Sequence, residues 1–160
     1  MREILFTGKS KEGDGWVFGV PVRVRENTRL TNRIFLVESV NLDELDYFIP
    51  QYYDTEVFPE TVGQFSGFYD KNDNKVFEGH IISFAGKNLV AFWNDEAHQW
   101  QAKTTMSCPC APFGSYSLDC EWDCIDFGWF VAEIATLGKT SVEIIGNIYD
   151  NPELIMEEGK

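Results

Sequence analysis

Four cysteines are the first residues whose types could do chemistry: Cys108-Pro109-Cys110, then Cys120 and Cys124. Four thiolates satisfy a tetrahedral zinc, and a helix through Cys120–Cys124 would place those two sulfurs on one face. The spacing is not that of paired Cys-x-x-Cys knuckles, so small buried hydrophobes or reduced cytosolic thiols are the favoured reading. Asp70-Lys71-Asn72-Asp73-Asn74 begins like a calcium loop. Lys75 stands where that loop needs glycine and Ile81 where it needs a closing glutamate, so a solvated turn is expected. His80 and His98 are the only histidines. Each is expected to find a hydrogen-bond partner near a strand; either one with Cys108 or Cys110 would make the sole nucleophile–base pair on offer. No glycine-rich phosphate loop, nucleophile elbow or paired-carboxylate motif is present. No catalytic, cofactor-binding or metal-binding residue is therefore expected.

The elements that would position these residues are mostly strands. The chain has 160 residues, 44% of them hydrophobic and 15% aromatic, which excludes a disordered composition and leans towards β structure. Ile4–Phe6 and Trp16–Val20 bracket a polar stretch and predict a first hairpin. Val20, Val22 and Val24 alternate with Pro21, Arg23 and Arg25, predicting a buried valine face. Pro21 cannot donate to a ladder, so an edge strand, or a strand near its end, is expected. Glu26–Arg33 is polar and loop-like, and Ile34–Val37 is the next apolar run. Asn41–Asp54 divides evenly between a short helix capped at Asn41 and a strand ending at Ile49.

The stretch Pro59–Phe84 predicts two β segments around a reversal at Asp70–Lys75, with Val62, Phe65 and Phe68 supplying apolar surface. Leu89–Trp93 and His98–Lys103 form a further strand pair around Asn94–Glu96. Thr104–Asp126 breaks the rhythm, holds all four cysteines and is treated as an insertion. Phe127–Ala135 returns to apolar patterning, Gly138–Thr140 is a turn, and Val142–Tyr149 is a strand with Gly146 marking a bulge or bend. Asn151-Pro152-Glu153 opens one helical turn. Four or five short strands between residues 76 and 149 are expected to close into a small barrel. Of the aromatic residues Trp93, Trp100, Trp122, Trp129, Phe92, Tyr116, Phe127 and Phe130, most are expected in the core, with any exposed ones free to anchor a partner.

The net charge of −13, from 26 acidic and 13 basic residues, disfavours direct binding to nucleic-acid phosphates. Arg23, Arg25, Arg29 and Arg33 are the local exception, expected to line and protect a strand edge. The run Ile4–Phe6 is too short for a signal-peptide core, and Phe127–Ala135 is short and carries Glu133, so a cytoplasmic protein without a membrane span is expected.

Three blocks carry a family resemblance. Arg2-Glu3-Ile4-Leu5-Phe6-Thr7-Gly8-Lys9 with Gly15-Trp16-Val17-Phe18-Gly19 resembles the opening of the YopX family of phage and prophage proteins. Pro59-Glu60-Thr61-Val62-Gly63-Gln64-Phe65-Ser66-Gly67 with Val76-Phe77-Glu78-Gly79 resembles its central block, and Glu143–Leu154 its closing block. His80 departs from the pattern, standing where the family has an acidic residue, and the cysteine segment lies outside it. The resemblance implies a phage or prophage context and one domain over residues 1–160, with the insertion at 104–126. It implies a mainly β, β-rich α+β fold: N-terminal hairpins packed on a small SH3-like, partly open barrel, with little helix. It transfers no catalytic residue.

The leading expectation is a non-enzymatic accessory protein that docks to a protein partner or to itself as a homo-oligomer, without cofactors. An acidic mimic of DNA that occupies a host nucleic-acid-binding protein is the alternative. A thiol- or zinc-dependent enzyme is the third reading.

Overall fold

The computed structural model describes residues 4–13, 15–26, 29–37, 54–103 and 124–155. The chain divides into two compact units, Met1–Phe65 and Ser66–Lys160. The mainly β class expected from the composition is what forms: eleven strands and a single α-helix among the described residues, in two antiparallel sheets that do not close into a barrel.

In the first unit β1 (Phe6–Lys9), β2 (Trp16–Glu26), β3 (Arg29–Val37) and β4 (Asp54–Val57) follow as a meander, and β5 (Gly63–Tyr69) pairs with the other side of β1. The first hairpin is as expected, with Phe6 opposite Gly19 and Lys9 opposite Trp16. Two expectations fail here. Glu26 and Arg29–Arg33 are strand and not loop: the ladder runs on through Arg25 opposite Leu30 and Glu26 opposite Arg29. Main-chain pairing is indifferent to side-chain polarity, so a charged segment continues a hairpin as readily as an apolar one. The valine face is also inverted, since Val20 and Val22 are 52% and 46% exposed. Pro21 faces Leu36 across the β2–β3 ladder, and Leu36 and Val57 are fully buried, so the core lies on the opposite side of β2. Alternation establishes that a strand has two faces; its neighbours decide which is covered.

Pro21 is tolerated within an eleven-residue strand because β1 reaches only as far as Gly19. Beyond that point, among the described residues, one side of β2 has no ladder for the missing N–H to join. The far end of β1 curls towards β4, where Ser10 bridges to Val57 and the Phe58 amide donates to the Lys9 carbonyl at 3.0 Å. Gly8 permits this approach: a β-carbon there would lie 3.1 Å from Val57 Cβ. The undecided segment at 41–54 falls outside the described residues apart from Asp54, which opens β4.

In the second unit the end of β5 continues into β6 (Lys75–Phe77) through the reversal expected at Asp70–Lys75. A five-stranded sheet then forms from β7 (His80–Phe84), β8 (Lys87–Asn94), β9 (Gln99–Lys103), β10 (Cys124–Asp126) and β11 (Glu143–Asn147). Its order, β10-β9-β8-β7-β11, is open. The bulge anticipated at Gly146 is present as a register shift in the β11–β7 pair. Asn151-Pro152-Glu153 opens a 3-10 turn over Pro152–Leu154.

The segment after β10 is α1 (Phe127–Leu137), the helix that a barrel of strands does not foresee. Phe127 and Phe130 are three residues apart and face the sheet, while Gly138 ends the helix in the left-handed conformation at φ 72°. The Phe130 ring sits 5.0 Å from Phe84, 5.0 Å from Phe127 and 5.5 Å from Phe68. Val76, Ile82, Leu89, Ala91, Trp100, Ala102, Ile125 and Val142 complete this core. One face of the sheet is thus covered by a helix, which removes the need to cover it by closure.

Candidate functional site

Most of the cysteine candidates lie where the structure describes nothing. Cys108, Cys110, Cys120, Tyr116 and Trp122 fall outside the described residues, and Cys124 is placed by its backbone alone, opposite Lys103. Among the described residues, no three His, Cys, Asp or Glu side chains gather as a metal site. His98 lies in the β8–β9 turn at φ 50°.

Lys71, Asn72, Asp73 and Asn74 are exposed, as expected of a solvated turn, but Asp70 itself is not. Asp70 is 3% exposed and binds its own loop together. Its Oδ1 accepts the Asn72 and Asn74 amides at 2.8 and 2.9 Å, and Oδ2 accepts Asn74 Nδ2 at 3.3 Å and the Ile144 amide at 3.1 Å. The last contact occupies an edge amide of β11, so one carboxylate shapes the β5–β6 turn and covers a sheet edge. Burial pushes its carboxyl upwards, but the Asn74, Ile144 and Asn72 donors outweigh that and hold it below the usual value.

His80 follows the β6–β7 turn, in which Gly79 takes φ 83°, a left-handed conformation that favours glycine. Its Nδ1 accepts the Phe77 amide over a long 3.4 Å, and its ring stands edge-on to Phe77 at 5.6 Å. Burial lowers its pKa to about 4, against a smaller opposing effect from the Asp70 charge. The imidazole is therefore neutral near pH 7 and serves as a hydrogen-bond acceptor within the fold.

What the second unit does expose is apolar helix. α1 reads Phe-Gly-Trp-Phe-Val-Ala-Glu-Ile-Ala-Thr-Leu, with one charged residue in eleven. The stripe that begins at Phe127 and Phe130 continues through Val131, Ile134 and Leu137, which are 58%, 39% and 66% exposed. The core covers the first turn of the helix and leaves the later turns in solvent. Trp129, on another side, is 52% exposed.

At the C-terminal end of this stripe lies a groove of about 430 Å³, lined by Leu137, Lys139, Glu133, Thr140, Ser141, Lys71 and Asn72. Its acid is already engaged. Glu133 Oε2 accepts Thr140 Oγ1 at 3.0 Å and the Ser141 amide at 2.9 Å, and Oε1 accepts Ser141 Oγ at 2.6 Å. Burial raises the Glu133 pKa and these bonds more than reverse it, so the carboxylate stays ionised as a latch between α1 and the loop to β11. Lys71 pairs with Glu143 at 2.7 Å on the surface. The carboxylate holds its own loop and its pKa is lowered, so it is not poised to exchange a proton near neutrality.

The aromatic expectation divides accordingly. Trp100, Phe127 and Phe130 are buried, Trp93 is 36% exposed, and Phe92 lies half-buried beneath Lys103 Nζ at 4.2 Å. Sequence reasoning missed the Glu133–Ser141 latch, although a glycine C-cap followed by Thr-Ser within one turn's reach of a helical glutamate was the available signal. Among the described residues, no helix is long and apolar enough to cross a membrane. The family described as YopX protein matches residues 21–156. No curated protein matches the chain.

Proposed function

The chain belongs to the YopX family, and on that premise we propose that it is a non-enzymatic, phage- or prophage-encoded accessory protein that works by docking to a protein partner or to a second copy of itself. It acts in the cytoplasm of the host. The observation behind this reading is the exposed apolar surface of α1, with Val131 and Leu137 each more than half in solvent. A helix apolar around most of its circumference is stable in water only when something covers it, and exposed apolar patches mark interaction surfaces. The groove beside Leu137 adds polar groups of the kind that rim an interface.

The test is the pair of substitutions Val131→Lys and Leu137→Lys, introduced together. Both side chains point largely into solvent, so the unfolding free energy should change by no more than about 0.5 kcal/mol for each substitution. Light scattering after size exclusion, and capture from host lysate at moderate salt, should both be compared with the unmodified chain. Loss of self-association, or of one captured protein, in a variant of unchanged stability supports the reading. A chain that is monomeric at high concentration and captures nothing that the variant fails to capture overturns it.

A further inference from the structure

We draw no further inference here: the strongest candidate, the apolar stripe of Val131, Ile134 and Leu137 on α1 with its adjoining groove at Lys71 and Lys139, belongs to the docking surface already described, and nothing in the structure shows what covers it.

Discussion

Acidification between pH 6.5 and 4 should destabilise the second unit through His80. The folded imidazole titrates at about 4 against an ordinary value of 6.5. Within that window the unfolded chain carries a proton at position 80 that the folded chain refuses, so stability falls as pH falls. The shift amounts to about 3 kcal/mol in full, of which about 2 kcal/mol is gone by pH 5. Protonation also places a donor on Nδ1 facing the Phe77 amide, which now donates to it at 3.4 Å. The carboxylates act elsewhere on the scale. Asp70 and Glu133 are both held below their ordinary values of 3.8 and 4.5, so their contributions are intact above those values and are lost as pH falls from there through the lowered ones.

Urea unfolding followed by tryptophan fluorescence reads this, since Trp93, Trp100, Trp122 and Trp129, four of the five tryptophans, belong to the second unit. At ordinary urea dependence, about 2 kcal/mol moves the midpoint by roughly 1 M between pH 7 and pH 5. His80→Asn supplies the control, because its amide oxygen can accept from the Phe77 amide and does not titrate. The variant should lose less stability than the parent over the same interval, and the difference is the share of His80. Parallel losses in the two proteins would refute the reasoning.

Substitutions at Asp70, Phe130 and Gly146 test the packing that positions the helix and the groove. Asp70→Ala strips partners from the Asn72, Asn74 and Ile144 amides at a residue 3% exposed and should cost about 3 kcal/mol or more in chemical denaturation, with Asp70→Asn milder because an acceptor remains. Phe130→Ala empties a fully buried position among three rings and should cost about 3–5 kcal/mol, releasing α1 before the sheet in hydrogen exchange. Gly146→Ala would set a β-carbon 2.6 Å from Asn151 Oδ1 and should cost about 1–3 kcal/mol, part of which Asn151→Ala restores by removing the obstructing atom.

Much of the β framework was legible because its signals are local. A glycine within an apolar run placed the bulge of β11, and Asp-Asn-rich residues between apolar runs placed the reversal from β5 to β6. Turn chemistry depends on the backbone of a few successive residues, and those residues are all in view in a sequence. Family membership was legible for a related reason: blocks in order carry it without any contact between them, and the central and closing blocks lie within the matched residues 21–156.

Which side of each element is covered was settled only by tertiary structure. Val20 and Val22 have the same alternation whether buried or exposed, and Leu36 with Val57 took the covered side. Phe127–Leu137 is apolar enough for a strand or a helix; Phe84 and Phe68, distant in sequence, receive Phe130 as part of a helix. Asp70 looked like one more turn residue until the Ile144 amide, 74 positions away, reached its carboxylate. The exposed end of α1 is a fact of the same order. A side chain's type gives its cost in water, but whether it stays there depends on surfaces that only the folded chain brings near.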